Sequence, residues 1–596
     1  MSTYFDDASL VMIPSGYKDD KLYSIKPTSG DGDFTFSRDG SGASPATRVN
    51  SAGLIEKGRT NLLLQSNSFN TTWTTSNASV TGGQSGYDGS NDAWLLSKSG
   101  ANGNLYQVIT TTSGVQSFSV YAKANSVNWI RLRFDNSPSG DQNVWFNLTD
   151  GSVGTDQGIA ADSEDVGGGW YRLVLQANTT DLNNVRIYPA EGDNDTSGTS
   201  GSIYIQDAQL EKGLVATSYI ETTTAAASAG ILGDMPRLDY SGGASCPSLL
   251  LEPARTNIHT NSEYLDAYVK SRSTITSNAA TSPEGVTNAS KIIPLSTSNG
   301  WAGVNAPNYS FTSGQTYTLS VFAKAGEYNY CQVGGSTPAF NGSFATINLT
   351  NGVVEHQSGI TATTEDYGSG WYRISFTHTA IATASSPIGF FAVYSTAVSS
   401  RLATQVGDDV SGVYAWGWQA ELASYPTSYV PTYGSATARA KEGGQVTSVS
   451  DLIGQTEGTL FAEVDSFGVG EVANRIFGIS NGTSAERVIM LTRSTGYRFI
   501  MSNGSVNNAD YTKTMSTDGV HKLAMTYDAN EVRIFVDGVK VHTDSSVTLP
   551  SSLNSVHIGK QEVNGNYGNN FGGSAKQALV FETALTDAEC ISLTTI

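Results

Sequence analysis

At 596 residues the chain is longer than one hydrophobic core supports, and we expect three or four domains. Only 15% of the residues are charged, whereas 63 are glycine and 10% are aromatic, a composition that favours strands and turns over helices. The net charge of −20 repels phosphate backbones and anionic lipids, which argues against nucleic acid and membrane surfaces as partners.

We expect neither a signal peptide at the start of the chain nor a membrane helix within it. It lacks a basic region followed by an apolar one, and no stretch approaches the ~20 apolar residues that span a bilayer. We therefore expect no membrane insertion. Residues 1–57 also hold too little apolar material for an independent core, so we predict an N-terminal segment for docking or oligomerisation.

Two long parts of the chain repeat one another. GGGWYRLVL at 167–175 returns as GSGWYRISF at 368–376, and SFSVYAKA at 117–124 returns as TLSVFAKA at 318–325. Further pairs keep the same order along the chain. The simplest interpretation is one domain present twice, with loop insertions.

The repeats define the domain boundaries. We assign the first copy to residues 58–228 and the second to 254–440, and Pro236, Pro247 and Pro253 disfavour regular structure in the linker 229–253. Within each copy the segments are short, alternate in polarity and are bounded by glycine, serine, asparagine and threonine. This period of two predicts strands, and each copy is expected to form a two-sheet jelly-roll sandwich.

The repeated tryptophans, Trp170 and Trp371, each begin a strand after a glycine-rich turn. Their indoles could stack on a sugar ring. Because they recur at the same place in both copies, we favour a structural role in the core, at the end of each sandwich.

Residues 441–596 show no repeat and form a third domain. Successive strand patterns include GTLFAEVDSF, HKLAMTYD and EVRIFVDGVKV, the last with an Asp-Gly hairpin turn, and Thr586 to Glu589 fit a capping box that opens a short helix. The predicted fold class is therefore all-β, with tandem jelly-roll sandwiches followed by one further sandwich.

The first 440 residues resemble virion proteins of tailed bacteriophages. FTFSR…ATRVN…GLIE at 34–56, RTNLLLQSNSF, and PRLDY…LLLEPARTN at 236–257 are similar to segments that introduce carbohydrate-binding-module-like jelly rolls in those proteins. SVYAKA, GWYR and QLE…TSY are similar to recurring marks of that sandwich. HKLAMTYD, VRIFVDGVKV and LVFETALTDAEC resemble a laminin-G-like, concanavalin A-like domain, a fold that hosts lectins, glucanases and structural modules.

The sequence offers no complete catalytic constellation. GISNG at 478–482 matches a nucleophile-elbow pattern, but a strand follows it where a helix is required. Glu463 and Asp465 supply half of the carboxylate pattern of concanavalin-like glucanases, and Phe467 stands where the second half begins. The histidines show no metal-ligand spacing. We expect a protein that is not an enzyme.

Asp193, Asp195 and Ser197 resemble the first half of a Ca²⁺ loop, with Tyr204 at the position of the bidentate acid. A solvated turn is the favoured alternative, and Asp408–Asp409 is interpreted in the same way. No other cofactor is expected.

Two regions suit sugar contacts, for which exposed aromatic rings and amides are needed. One is Trp301, whose neighbours are typical of a loop. The other is the loop 562–573, which a flexible hairpin also explains and whose candidate residues are Asn564, Asn566, Tyr567, Asn569 and Asn570.

Three functions remain open. The first is a non-enzymatic tail or head fibre on the phage surface that binds a host cell-surface glycan and other virion proteins. The second is a capsid decoration protein with purely structural sandwiches, and the third is a polysaccharide depolymerase. The resemblance to phage fibres implies a homotrimer, which would multiply weak sugar affinities.

Overall fold

The computed structural model describes residues 4–38, 46–136, 140–297, 300–340, 342–467, 474–560, 562–563, 566–567 and 570–596. Over these ranges the chain forms three β-sandwiches with two short helices, Tyr4–Asp7 and Asp587–Thr594. The all-β prediction is confirmed. Within the described ranges, no helix is long and apolar enough to cross a membrane.

In the first sandwich the longest strands bend, and each takes part in both layers. The main strands of the two layers therefore join in one sheet. Phe118, Val120 and Leu173 are among the side chains that fill its core. Its strands are Arg59–Asn61, Thr74–Ser76, Ala78–Gln84, Ala93–Lys98, Asn104–Ala124, Trp129–Asp135, Gln142–Asn147, Val153–Asp156, Ala160–Gly167, Trp170–Ala190, Gly201–Lys212 and Ala227–Ala229.

The second sandwich has the same strand order in two separate six-stranded sheets. The difference arises because two long strands of the first sandwich are each interrupted here. Asn104–Ala124 corresponds to Gly303–Asn305, Asn308–Phe311 and Thr316–Ala325, and Trp170–Ala190 corresponds to Trp371–Thr379, Ala384–Pro387 and Phe390–Tyr394. The strands are Arg255–Asn257, Val269–Ser271, Ser273–Thr281, Thr287–Pro294, Gly303–Asn305, Asn308–Phe311, Thr316–Ala325, Tyr330–Gly334, Phe344–Asn348, Val354–Ser358, Ala362–Asp366, Trp371–Thr379, Ala384–Pro387, Phe390–Tyr394, Val413–Glu421 and Thr437–Arg439.

Each repeat is closed at its base, where its first and last strands pair. Arg59–Asn61 pairs with Ala227–Ala229, and Arg255–Asn257 pairs with Thr437–Arg439. The asparagine of each RTN motif holds this base to the sandwich. Asn257 Nδ2, for example, donates to the carbonyls of Trp418 (3.0 Å) and Val430 (2.9 Å). Both repeats are therefore insertions whose ends lie side by side.

The third sandwich is assembled from three segments of the chain. Its two sheets have eight and nine strands. The strands are Leu10–Met12, Tyr17–Lys18, Lys21–Leu22, Phe34–Ser37, Arg237–Asp239, Ser248–Leu251, Gly443–Thr447, Gly458–Ser466, Asn474–Ser480, Arg487–Arg493, Gly496–Asn503, Val506–Thr514, Val520–Tyr527, Val532–Val536, Val539–Asp544, Ser555–Ile558 and Gly573–Phe581.

Two predicted domain boundaries need correction. Residues 1–57 are not a separate segment, because Leu10–Met12 pairs with Gly573–Phe581 and Phe34–Ser37 pairs with Gly443–Thr447. Residues 229–253 are not a simple linker, because Ser248–Leu251 also pairs with Gly573–Phe581. The apolar residues that were too few for a core of their own complete the core of the third sandwich instead. The hairpin Thr47–Val49/Ile55–Lys57 lies outside its sheets.

The tryptophan and arginine of the repeated WYR motif lie on the outer face of their sheet. Trp170 and Trp371 belong to small clusters separate from the sandwich cores, so their predicted place in the core at the end of each sandwich is wrong, although both are buried. Trp170 and Trp371 are buried, at 3% and 2% exposure, and Trp371 Nε1 donates to the carbonyl of Thr281 (3.0 Å). Arg373 donates from Nη2 to the carbonyl of Thr427 (2.6 Å), and Arg172 makes the corresponding bond to Thr217. The motif therefore anchors the TSY segment that closes each repeat.

A bulge at one equivalent position of the two repeats requires left-handed backbone. Gly417 occupies it in the second repeat with a φ of 64°, and Asp207 occupies it in the first with a φ of 51°. Asp207 is 6% exposed and accepts a hydrogen bond from the Tyr87 hydroxyl (3.0 Å). Burial raises the pKa of this carboxyl from 3.8 to about 7, and Asp92 and Asp88 add to the rise.

Replacing Asp207 with asparagine is expected to stabilise the first sandwich at pH 8. Because the folded pKa of Asp207 is raised, its contribution to stability is fully present below about pH 4 and is lost as the pH rises through about 7. A shift of this size corresponds to roughly 4 kcal/mol. Asparagine also tolerates the left-handed conformation. Calorimetry at pH 5 and pH 8 should show a smaller pH dependence in the variant, and an unchanged dependence would contradict the assignment.

Candidate functional site

An open cleft of about 350 Å³ lies where the second sandwich, the third sandwich and the hairpin Thr47–Val49/Ile55–Lys57 meet. Its lining combines carboxylates, arginines, hydroxyls and aromatic rings. The residues that line it are Thr47, Arg48, Val49, Ile55, Asp239, Ser241, Gly242, Leu250, Glu252, Glu365, Tyr367, Arg373, Pro426, Thr427, Ser428, Tyr429, Asp465 and Phe467.

One wall of the cleft is the sheet of the second sandwich. Glu365 lies directly opposite Arg373 on the neighbouring strand, so that both side chains project from the same face. Arg373 is 6% exposed, with its guanidinium 5.5 Å from the ring centre of Phe322 and a bond from Nη2 to Ser320 Oγ (3.0 Å). Its Nε has no hydrogen-bond partner among the described residues.

The facing wall comes from the hairpin and the third sandwich. Arg48 Nε donates to Glu56 (2.9 Å), so the positive charge of Arg48 is paired with a carboxylate. Asp239 accepts from the backbone N–H groups of Val49 (2.7 Å) and Ser241 (3.1 Å). Asp465 is half-buried at the end of the strand Gly458–Ser466.

Two of the cleft carboxyls hold their protons more tightly than usual. Glu365 contacts solvent inside the cleft, but the surrounding protein desolvates its carboxyl and raises its pKa. The negative charge of Asp239 adds to this rise, whereas the positive charge of Arg373 opposes it. Desolvation also raises the pKa of Asp465, while Lys576 and His521 oppose the shift. The cleft is therefore a poorly solvated environment in which an unpaired charge of either sign is unfavourable.

Beneath the cleft lies a buried network of charges, the hub, formed by Arg38, Arg237, Glu252, Arg439 and Glu442. All five side chains are at most 1% exposed. Burial opposes ionisation of Glu252, but Arg439 and Arg237 outweigh it and lower its pKa to about 2. The hub fixes the second sandwich and all three segments of the third sandwich relative to one another.

The first sandwich has an equivalent cleft of about 560 Å³ against the second sandwich. Glu164 again faces Arg172 across two strands. Asn278 of the second sandwich bridges the interface, with bonds from Nδ2 to Gln176 Oε1 (2.7 Å) and to the carbonyl of Leu214 (3.1 Å). Unlike the first cleft, this one is lined by no aromatic side chain among the described residues.

The predicted sugar-contact residues do not line the first cleft. Trp301 lies in an irregular segment and is half-buried, with its ring packed 6.1 Å from that of Phe390, and its contact with sugar stays a prediction. Asn570 is 4% exposed and donates to the carbonyl of Glu442 (2.9 Å), so its predicted contact with sugar is wrong because the amide is buried in the third sandwich.

The remaining residues of that loop are only partly described. The backbone of Asn566–Tyr567 pairs with Glu562–Val563 in a short hairpin. Asn564, Asn569 and the side chains of Asn566 and Tyr567 lie outside what the structure describes. Their contact with sugar stays a prediction.

The acidic turn proposed for Ca²⁺ is held by its own hydrogen bonds. Asp193 accepts from the N–H (2.7 Å) and hydroxyl (3.2 Å) of Thr155, whereas Asp195 accepts from the N–H of Ser197 (2.9 Å). Asp193 and Asp195 therefore accept hydrogen bonds from different residues. No cluster of three or more histidine, cysteine, aspartate or glutamate residues suited to a metal occurs in the described part of the chain.

Residues of both motifs considered for catalysis make hydrogen bonds within the folded chain. Glu463 accepts a bond from Gln577 (2.6 Å), and Asp465 points to the cleft described above. Ser480 of the GISNG motif bonds His557 Nε2 (2.9 Å), which sequence reasoning did not anticipate. Both residues are buried on adjacent strands, so a substrate has no access to the pair. Among the described residues His557 Nδ1 has no partner that would orient the ring as the third group of a triad does.

Sequence reasoning missed the cleft because Arg48, Asp239, Glu365 and Asp465 come from distant parts of the chain. One signal was available: a glutamate precedes an arginine by the same interval in both repeats, Glu164 with Arg172 and Glu365 with Arg373. This duplication marks the strand pair that forms one wall of each cleft.

Residues 441–590 match the family model described as the concanavalin A-like lectin/glucanases superfamily. The third sandwich therefore has a concanavalin A-like fold, as predicted. No curated protein matches the chain.

Solved structures with local similarity cover about a quarter of the chain. The Ruminococcus gnavus IT-sialidase CBM40 bound to α2,3-sialyllactose is 17% identical over 24% of this chain and 84% of its own, with a TM-score of 0.22. The Streptococcus pneumoniae NanB sialidase is 15% identical over 25% and 26%, with a TM-score of 0.23. A SAP-like pentraxin from Limulus polyphemus is 14% identical over 23% and 69%, at 0.19. At these values the likenesses carry no argument about ligands.

Proposed function

We propose that the protein is a non-enzymatic appendage on the surface of a tailed-phage particle and that it binds host cell-surface glycans. The observation that carries the proposal is the open cleft beside the hub. Its half-buried aromatic residues Tyr367 and Phe467 offer surface to a sugar ring, while the hydroxyls and carboxylates can bond sugar hydroxyls. The phage assignment rests on the resemblance of residues 1–440 to virion proteins.

Binding to an array of bacterial surface glycans tests the first part of the proposal. The full-length protein should bind a defined subset, and Tyr367→Ala should weaken that binding at least tenfold. Val166→Ala changes the equivalent position of the first repeat and is the matched control. If the array shows no binding to any glycan, sugar recognition is wrong and the capsid-decoration alternative is favoured.

The particle location is tested by electron microscopy of phage particles labelled with antibody against the chain. Label on a tail or head fibre supports the appendage, and label spread over the capsid supports decoration. Light scattering of the full chain tests the proposed homotrimer. A monomer would remove the contribution of multivalency to attachment.

A polysaccharide hydrolase is the second candidate, because Glu365 and Asp465 line one cleft and both carboxyls have raised pKa values. We expect no cleavage, since the carboxylate pattern of the third sandwich is incomplete. Size-exclusion analysis of host polysaccharide after incubation should show unchanged polymer length. A decrease that the Glu365→Gln and Asp465→Asn variants abolish would establish the hydrolase instead.

A further inference from the structure

The hairpin Thr47–Val49/Ile55–Lys57 precedes the first repeat in the chain but packs on the outer face of the second. Ile55 lies there in a cluster of aromatic side chains, and its N–H donates to the carbonyl of Pro283 (2.9 Å). The hydroxyl of Thr47 donates to the carbonyl of Tyr429 (2.6 Å). The second repeat therefore holds the hairpin through an aromatic layer and two backbone acceptors.

A cation of the hairpin is paired on the same face. Lys57 Nζ lies 2.5 Å from Glu263 and 2.9 Å from Glu284. It also lies 5.8 Å from the ring centre of Trp416, one of the aromatic residues packed against Ile55. The occupant of this face thus brings one aliphatic side chain and, two positions later, one lysine.

The first repeat has the same face. The turn around Tyr87 has the same two backbone hydrogen bonds as the turn around Pro283. Asp88 therefore corresponds to Glu284. The ring of Tyr87 stacks on that of Tyr121, with 3.9 Å between their centres, so an aromatic layer is present here as well.

This face is open on the first repeat. Tyr219 corresponds to Tyr429, because each hydroxyl bonds the equivalent serine, but Tyr219 is half-buried whereas Tyr429 is 2% exposed. Asp88 and Asp92 are exposed. Within the described residues, the carbonyls of Tyr87 and Tyr219 accept no hydrogen bond. Together, Tyr87, Asp88, Asp92 and Tyr219 form the free face.

We infer that the free face binds a β-hairpin of a partner protein, and that this hairpin carries an aliphatic residue two positions before a lysine. The unoccupied carbonyls can accept hydrogen bonds from the hairpin, as the carbonyls of Pro283 and Tyr429 do in the second repeat. The aliphatic side chain then packs against the aromatic layer. On a phage particle, such a partner is another protein of the virion.

The charge of the free face fits a lysine. Asp88 and Asp92 each accept two hydrogen bonds from neighbouring polar residues, all through Oδ1. Their Oδ2 atoms accept none within the part of the chain that the structure describes. A protonated amine gains charge-assisted hydrogen bonds from carboxylates, and it is also attracted to the face of a ring such as that of Tyr87.

The test uses the full-length protein and a peptide that covers residues 46–58 of this chain, cyclised through cysteines added at its ends. The peptide has the chemistry of the expected occupant, and the second repeat already holds its own hairpin. Calorimetry at neutral pH and low salt should show binding to a single site. Peptides that carry Lys57→Gln or Ile55→Ala should bind about tenfold more weakly.

Replacing the exposed carboxylates of the free face tests the charge. The protein variant Asp88→Asn/Asp92→Asn should bind the unchanged peptide about tenfold more weakly than wild type. Asp150→Asn/Asp156→Asn is the matched control, because it removes two charges from exposed positions of the same sandwich. It should bind like wild type. Equal losses in the two variants would mean that the net charge attracts the peptide, which contradicts the inference.

The side chain of Leu54 reports where the peptide binds. In the second repeat it lies against Gly285, which corresponds to Gly89 of the first repeat. A photoreactive group at position 54 of the peptide should therefore crosslink to residues 86–90. Crosslinks to residues 282–286 would mean that the peptide displaces the chain's own hairpin, and they overturn the inference, as does a failure to bind. Glycan binding is measured separately on the array and does not depend on either result.

Discussion

A chain that begins at residue 46 is expected to lose the fold of its third sandwich. This truncation keeps the hairpin Thr47–Val49/Ile55–Lys57 but removes the strands Leu10–Met12 and Phe34–Ser37. Leu10, Met12, Leu22, Phe34 and Phe36 are fully or almost fully buried in the core of that sandwich. At ~1.5–3 kcal/mol for each large apolar side chain, the loss is roughly 10 kcal/mol. That is comparable to the whole stability of a typical domain.

The two inserted sandwiches keep their own cores, so they should remain folded in the truncated chain. Calorimetry should show their transitions and not that of the third sandwich, and limited proteolysis should degrade residues 441–596 first. A synthetic peptide covering 4–38 added to the truncated chain provides the control, because it should restore the missing transition. A third sandwich that melts normally without these residues would contradict the pairing of Leu10 with Val580.

The folding role of residues 4–38 limits how residues 1–57 could hold subunits together. Oligomerisation through this segment stays a prediction, but the apolar faces of its strands are already used within the chain. Any contact between subunits made by residues 4–38 must therefore use other surfaces, such as Tyr23 and Ile25, which are exposed.

The fold of each repeat could be predicted from sequence because its signals are local and occur twice. The alternation in SFSVYAKA indicates a strand, and the same pattern at 318–325 indicates the same position in a second copy. The third sandwich was harder, since Leu10–Met12 is only three residues long and buried on both faces. Such a segment shows no alternation, and nothing nearby in sequence reveals a partner beyond position 570.

The cleft could not be predicted for a related reason. Its chemistry is created when Asp239, Glu365 and Asp465 come together between folded units, and each residue is unremarkable in its own segment. By contrast, Asn570 had suitable neighbours in sequence but is buried by tertiary contacts. Composition can indicate which residues suit a sugar, but burial decides which of them can reach it.

Replacing Glu442 with glutamine is expected to destabilise the junction of the three chain segments by about 3–5 kcal/mol. Glu442 accepts bonds from Arg38 Nε (2.8 Å) and Arg237 Nε (2.8 Å), and a third arginine, Arg439, lies in the same hub. Burial disfavours its charge, but the arginines outweigh this and lower its pKa. The variant would leave Glu252 as the only hub carboxylate to face three buried guanidinium groups.

The sign of the pH effect follows from the lowered pKa of Glu442. Its contribution to stability is present above the ordinary pKa of 4.5 and is lost as the pH falls through the lower, folded value. The wild type and Glu442→Gln should therefore differ most at neutral pH and converge in acid, as measured by denaturant unfolding.

Asp266→Asn is the matched control for Glu442→Gln. It breaks an ion pair with Lys270 in which both side chains are 37% exposed. A pair of this kind contributes at most about 1 kcal/mol. Equal losses in the two variants would mean that the hub is no more important than a surface pair. A much larger loss of unfolding free energy for Glu442→Gln would establish that the buried charges fix the second and third sandwiches relative to one another. The same charges would then also fix the two walls of the cleft.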